Sequence, residues 1–439
     1  MRCRRWSPGC ARRCPLAIRR FDAASWLDSP WSRRRLDLAQ FAEERVAVQQ
    51  ICARVAAEGD AALREYGLRF DGWAPGASES FEVPSGELES AARRLAAPDR
   101  AALEFAAQRI REFHEAQVVA APPAGKKGLK LLARPVRRAG LYAPGGRAAY
   151  PSTVLMTAIP ARVAGVKEVV LATPPSADGT VPPAILAAAH IAGVDAVYRV
   201  GGAQAVAAMA FGTASIPRVD VVAGPGNIYV TLAKREVFGS VGVDGIAGPT
   251  EVLVVADGGA RPDFVAADLA AQLEHDPLAW GVLVTDSPKL ADRVVEELES
   301  LVGGLERAQV IRAANCCVVV ADDMTQAMSL ANDFAPEHLL IVAEDAMRLA
   351  SQVENAGAVF VGPYATVPLG DYTAGPNHTL PTSGAARFAS PLGVHTFMKR
   401  TSVLSLNRGD LEMLREATVR LAGMEGLSGH AHAVEVRLE

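Results

Sequence analysis

The chain has 439 residues, half of them hydrophobic and 21% charged, which excludes general disorder and leaves room for two or three domains with cores of their own. Lys and Arg number 45 against 49 Asp and Glu, a net charge of -4, so there is no global basic footprint for nucleic acid. The longest uncharged stretch of interest, 200–217, contains Gly201, Gly202, Gly212, Gln204 and Pro217; it reads as packed interior, because a bilayer span wants about 20 predominantly apolar residues.

The first twenty residues carry seven arginines, and no acidic residue precedes Asp22. This start lacks the apolar core of a secretory signal. It reads as a basic, disordered extension over residues 1–31 or an over-extended start, with a transit-like peptide and an organellar destination as the alternative. Cys3, Cys10 and Cys14 lie in it, Cys52 follows on a helix, and Cys316 and Cys317 open a strand. None forms a CxxC pair, so a reducing cytoplasm fits.

From about Ser32 the pattern is helical. Leu38, Phe41, Val48, Ile51 and Val55 recur at helical steps, and Gly59-Asp60 breaks the run. A second helical run reaches Tyr66, and a third spans 88–113. The grammar then changes to strands and alanine-rich helices in alternation: strand 168–172, helix 183–192, strand 196–200, helix 203–211, strand 219–223 and helix 228–237. The glycine-rich stretch 241–248 separates this block from a second one. Its strands are expected at 252–256, 281–285, 317–320, 340–342 and 358–361, with helices between them. A loop-rich stretch follows Gly362, and a helical tail starts near Leu411. Two tandem, doubly wound, Rossmann-like α/β domains framed by helical N- and C-terminal segments are the expected fold.

Three glycine turns fall in or near ligand-binding positions of the first block: Pro144-Gly145-Gly146-Arg147, Gly201-Gly202-Ala203-Gln204 and Gly224-Pro225-Gly226-Asn227. The last two each follow a strand and open a helix, so their free N–H groups are candidates to receive phosphates. Neither completes GxGxxG, and ordinary tight turns are an equal reading. On the expected helix 262–275, Val265, Leu269 and Leu273 make a core stripe, while Asp268, Gln272 and His275 lie on a polar one. Gln272 and His275 are spaced to reach one metal ion, against the plainer reading of a solvated face.

Asp371 and His378, in Gly370–His378, are competent ligands in a loop beyond a strand end. Glu425, His430 and His432 offer the same in the tail, or simply fray. Glu337-His338 follows Pro336 on an expected elbow before a buried strand. The pair divides two acid/base tasks between a carboxylate and an imidazole, or faces solvent at a loop end.

Together these segments resemble histidinol dehydrogenase from about residue 35 to the C-terminus. The motifs are Gly140–Gly146, Gly201–Gln204, Gly224–Asn227, Ala247-Gly248-Pro249-Thr250-Glu251, Gln272-Leu273-Glu274-His275, Ala335-Pro336-Glu337-His338, Gly370–His378 and Glu425–His430. The resemblance implies a zinc-dependent, NAD-linked, four-electron oxidation of L-histidinol to L-histidine through L-histidinal. It implies one zinc per subunit, held by Gln272, His275, Asp371 and His430, the last from the partner of an intertwined homodimer with shared active sites. His338 would be the base and Glu337 the activator of water. Tyr142, Gln204 and Asn227 would contact NAD. Thr250, His378 and Glu425 would contact substrate alongside Gln272, His275, His338, Asp371 and His430.

The implied division is a helical part at 32–141 packing with the second α/β domain, an NAD side at 142–249, a zinc and acid/base side at 250–392, and a dimerisation tail at 393–439. Thr250 stands where many members have serine, and His395 where an acidic residue or tyrosine is more usual. A paralogous zinc/NAD dehydrogenase of another alcohol, such as a sulfonated diol, is the closest rival. A metal-dependent hydrolase using Glu337 and an inactive nucleotide-binding protein stand further off.

Overall fold

The computed structural model describes residues 16–32, 38–76, 79–118, 128–145 and 149–439. It divides into two compact units, one of residues up to 118 with 136–397, the other of 119–135 with 398–439. Its strands, in chain order, are β1 (Ile18–Asp22), β2 (Leu129–Pro135), β3 (Arg138–Tyr142), β4 (Glu168–Thr173), β5 (Ala196–Arg199), β6 (Val221–Ala223) and β7 (Gly242–Val243). They continue with β8 (Glu251–Ala256), β9 (Trp280–Thr285), β10 (Asn315–Val320), β11 (His338–Val342), β12 (Ala358–Val361) and β13 (Met398–Leu404). Among the described residues no helix is long and apolar enough to cross a membrane.

The first unit holds two parallel sheets, ordered β5-β4-β3-β6-β7 and β1-β10-β9-β8-β11-β12. Leaving β1 aside, both wind alike: the first strand is central, the next two go to one side and the last two to the other. Each sheet therefore has a switch point, between β3 and β6 and between β8 and β11. The strands read as unbroken apolar runs because both faces are covered. In β4, Val169 and Leu171 enter one core while Val170 and Ala172 enter another. In β8, Val252, Val254 and Ala256 part from Leu253 and Val255 in the same way. Side chains that alternate across a pleat produce this separation.

Several expectations need correction. Part of the 1–31 segment is ordered: β1 pairs in parallel with β10, and Asp22 caps the helix Ala23–Asp28 by accepting from Ser25 N at 2.7 Å. Trp26 of that helix is buried, its ring 5.8 Å from that of Phe334, so burial of an aromatic outweighs the local arginines. Residues 1–15, with Cys3, Cys10 and Cys14, lie outside the described residues; Cys52, Cys316 and Cys317 are buried free thiols.

The helices of 32–141 pack on the first sheet's layers rather than the second's. Ala42–Glu58 lies against Gly202–Phe211 and Ile228–Val237, Ser85–Arg94 against Pro183–Ala192, and Ala97–Glu115 against Pro151–Val163. The reason is the Val48, Ile51, Cys52 and Val55 stripe, which shares one core with Val206, Val222 and Val230. The run expected over 88–113 is two helices, parted at Leu95-Ala96 just before Pro98. The 241–248 stretch contributes β7 to the first sheet instead of only separating blocks, and Asp371 stands on a short helix, Val367–Tyr372.

In the second unit, β2 and β13 form an antiparallel ribbon with Met398 opposite Pro135 and Leu404 opposite Leu129. The helices Arg408–Met424, capped by Asn407, and Ser428–Glu435 pack together across a turn at Gly426, whose φ is 70°. A left-handed turn of that kind suits glycine.

Candidate active site

The acid/base pair is set by an elbow. Ala335 ends the helix Met324–Phe334 in the left-handed region, φ 51°, and Pro336 bars it from right-handed helix. The chain turns, Glu337 follows, and His338 opens β11 beside the start of β8. Both side chains are buried. Glu337 Oε2 accepts from Thr250 Oγ1 at 2.6 Å and from Glu251 N at 2.8 Å. In return Glu337 N donates to Glu251 Oε1 at 3.1 Å, and Ser383 N reaches the same oxygen at 3.1 Å. His338 Nδ1 lies 3.1 Å from the Glu251 carbonyl. A carbonyl only accepts, so Nδ1 carries the proton and Nε2 presents its lone pair in the neutral ring. That Nε2 is buried without a hydrogen-bond partner, 3.7 Å from Asp371 Oδ1.

Burial pushes the Glu337 carboxyl up to about 7, against the pull of the His338 charge and the Thr250 hydroxyl. For His338, burial favours the neutral ring, but the Glu337 and Asp371 carboxylates outweigh it and bring the ring up to about 9. Asp371 is held below the usual carboxylate range: burial opposes its charge, and the His338, His378 and His275 rings favour it.

Gln272 occupies the last turn of the helix Pro262–Leu273. Its Nε2 donates to Thr250 Oγ1, and its Oε1 is buried with no hydrogen-bond donor. His275 follows, near enough to feel Asp371 and His338; desolvation lowers its pKa while Asp371 opposes. His378 Nδ1 donates to the Asp371 carbonyl at 2.9 Å, which leaves Nε2 to accept from Thr153 Oγ1 at 3.4 Å. The orphaned Gln272 Oε1, with the Asp371 carboxylate and the His275 ring that interacts with it, is a donor set whose chemistry fits a divalent cation of zinc type. Among the described residues, no three His, Cys, Asp or Glu side chains stand ready as a metal cage on their own.

The structure thus gathers Thr250, Gln272, His275, Glu337, His338, Asp371 and His378. Asp268, on the same polar stripe, accepts from Thr366 Oγ1, a bond within the scaffold. Glu425, His430 and His432 belong to the second unit, where all three are exposed. Sequence reasoning missed Thr153, Glu251 as a positioning group, and Ser383, whose φ of 55° marks an unusual backbone for serine. The signal for Glu251 was a carboxylate opening an otherwise apolar strand. Thr250, Glu251 and His338 all lie at the amino edge of the second sheet, opposite to the usual carboxyl-edge site.

The glycine turns line the carboxyl edge of the first sheet. Tyr142 ends β3, and its hydroxyl accepts from Gly202 N at 3.0 Å. Asp71 accepts from the Gly201 N–H. Asn227 caps the helix Ile228–Val237, its Oδ1 taking Tyr229 N at 3.0 Å and Val230 N at 3.2 Å. Gln204 is buried beside the first turn. The expectation of free N–H groups at these helix starts is therefore corrected at Gly201, Gly202, Tyr229 and Val230 only, whose amides side chains of the chain itself satisfy. Gly224, at φ 121°, holds a place where a Cβ would strike the Tyr142 carbonyl. Asp244 Oδ2 accepts Gly224 N at 2.8 Å, Lys234 Nζ donates to Gly224 O at 3.1 Å, and the two side chains form a buried ion pair. Gly146 and Arg147, in the remaining turn, lie outside the described residues.

Comparison with known proteins agrees across nearly the full length. The histidinol dehydrogenase family model matches residues 33–438. The histidinol dehydrogenase of Parasynechococcus marenigrum (strain WH8102) is 49% identical over 411 residues, covering 92% of this chain and 93% of the relative. That of Moorella thermoacetica is 47% identical over 421 residues, covering 94% and 99%. The crystal structure of histidinol dehydrogenase from Elizabethkingia anophelis superposes with a TM-score of 0.88 at 33% identity, covering 97% of this chain and 99% of that one.

Proposed function

The chain belongs to the histidinol dehydrogenase family, oxidoreductases that oxidise histidinol in histidine biosynthesis, and on that premise we propose that it performs the zinc-dependent, NAD-linked, four-electron conversion of L-histidinol to L-histidine through L-histidinal. The observation that carries the reading is the buried Glu337–His338 pair, with His338 Nε2 as its unpartnered pole. Zinc, held by Gln272, His275, Asp371 and His430, would orient the imidazole and amino group of the substrate. NAD, held in the 142–249 block by Tyr142, Gln204 and Asn227, would accept hydride.

The chain's own residues move the protons. A cation on Asp371 would offset part of the carboxylate charge that raises the metal-free His338 ring to about 9 and so favour the neutral ring. As hydride leaves the alcohol carbon, His338 Nε2 takes the hydroxyl proton and an aldehyde results. Its tautomer is preset by the bond from Nδ1 to the Glu251 carbonyl. Glu337, poised near 7 by burial, takes a proton from the water that adds to the aldehyde, while His338 gives the alcohol's proton to the carbonyl oxygen, so the hydrate forms and the imidazole is neutral again. The hydrate gives up a second hydride, and His338 takes its second hydroxyl proton. One water is consumed and two NAD are reduced per histidinol. Thr250, His378 and Glu425 would hold the substrate's polar groups.

Exposed Met413, Leu421 and Met424 in the second unit support a homodimer in which Glu425 and His430 complete the other copy's site. The buried free thiols support a cytoplasmic setting. The test is NADH formed per L-histidinol consumed by zinc-loaded protein: two are expected, with turnover falling at least about 100-fold in His338→Ala. One NADH would stop the reaction at the aldehyde, and NADH only with another alcohol would make the chain a paralogue.

A further inference from the structure

We infer that Asp71 is a specificity-determining residue of the dinucleotide site, its carboxylate favouring a ribose hydroxyl and repelling the 2′-phosphate of NADP. The inference rests on the NAD reading above and extends it to a residue outside the 142–249 block. Asp71 ends a π-helical turn, Gly67–Asp71, which the left-handed Gly72 closes at φ 72°. Single π turns often re-aim a side chain at a functional site. Here the carboxyl reaches the carboxyl edge of the first sheet: Oδ1 lies 3.1 Å from the point a Gly201 Cβ would occupy, and the group accepts the Gly201 N–H. The next amide, Gly202 N, is taken by the Tyr142 hydroxyl at 3.0 Å.

The start of the helix Gly202–Phe211 is where an ordinary dinucleotide fold seats a phosphate. In this chain a carboxylate holds the amide of the N-cap, Gly201, and a phenol that of the first helical residue, Gly202. A second anion placed there meets a half-buried carboxylate, whereas a hydroxyl finds spare lone pairs to donate to. A 2′-phosphate is usually met by an arginine. Arg199, at the carboxyl end of β5, is committed elsewhere: it donates to Ser80 O at 2.7 Å and Phe81 O at 3.3 Å and lies 4.5 Å over the Trp73 ring. Lys234 is likewise bound to Asp244.

The experiment compares wild type with Asp71→Ser and Asp71→Asn. Serine keeps an acceptor for the Gly201 N–H, asparagine keeps the shape, and both remove the charge. Affinities for NAD and for NADP are measured by calorimetry on zinc-loaded protein without histidinol, beside steady-state rates with each dinucleotide and a melting temperature. The expected result is a wild type that prefers NAD and variants whose NAD-to-NADP affinity ratio falls at least about tenfold with folding retained. A folded variant of either kind with an unchanged ratio overturns the inference, since a purely structural clasp would move only the melting temperature. A wild type that reduces neither dinucleotide with histidinol would instead overturn the proposed function on which the inference stands.

Discussion

Replacing Asp244 by asparagine tests how the Gly224 turn is held. The Lys234 and Asp244 side chains are 5% and 2% exposed, so both charges sit away from water. Asp244 also accepts Gly224 N at 2.8 Å and Gly245 N at 2.9 Å. The asparagine side chain would keep one carbonyl acceptor but turn an amide donor toward groups that need acceptors. It would also strand the Lys234 ammonium with only the Gly224 carbonyl. Stranding one member of a buried pair costs about 3–5 kcal/mol, against about 0–1 for a surface bridge. In urea the first unfolding transition should move down by on the order of 1 M. The double variant Lys234→Met/Asp244→Asn removes the stranded charge and should recover much of the loss, a coupling of roughly 1–3 kcal/mol. A single-variant loss under about 1 kcal/mol, or strict additivity in the double variant, would refute the clamp.

Two further outcomes are expected. In metal-free protein, protonated His338 between Glu337 and Asp371 stabilises the fold below about pH 6.5, and this contribution disappears as pH rises through about 9. Denaturation midpoints of wild type should therefore fall over that window more steeply than those of His338→Gln, and parallel curves would contradict the assignment. Gln272→Ala, which deletes the orphaned Oε1, should weaken zinc binding at least about tenfold in a chelator competition; unchanged affinity would remove Gln272 from the ligand set.

What the sequence made legible follows from which patterns are local. The helices Pro183–Ala192 and Ile228–Val237 were placed to the residue, the first between a proline start and Gly193 at φ 76°, the second behind its Asn227 cap. β4 and β8 were legible because burial on both faces leaves an unbroken apolar run. β1 was not: Arg19 and Arg20 sit in an edge strand whose only inward pair is half-buried Ile18 and Phe21. β3 hid in a glycine-bearing motif, and the helix Pro151–Val163 lacks a polar face because both sides pack. Glu337 and His338 were visible as neighbours in the chain, yet their burial depends on Thr250 and Glu251, some 87 positions away. Asp71 meets Gly201 from a distant part of the chain and left no local trace.

The two sheets share one winding, but the proposed dinucleotide contacts lie at a carboxyl edge and the proposed acid/base pair at an amino edge, and one stretch of chain touches both neighbourhoods. The first sheet offers the carboxyl ends of β3 and β6, with Tyr142 and Gly224 in contact there. The second offers the amino ends of β8 and β11, with Glu251 and His338. From the helix that follows β3, Thr153 reaches His378, and Asn377 Nδ2 donates to Met156 O at 2.5 Å, buried. His378 in turn holds the Asp371 carbonyl. Hydride transfer needs donor carbon and acceptor ring within about 3–3.5 Å, and a site divided between two carboxyl edges would need a long loop to close that gap. In the proposed reaction, strand ends at an amino edge and at a carboxyl edge carry the groups on both sides. The 377–378 turn is then the part whose displacement would separate proton transfer at His338 from the proposed dinucleotide pocket.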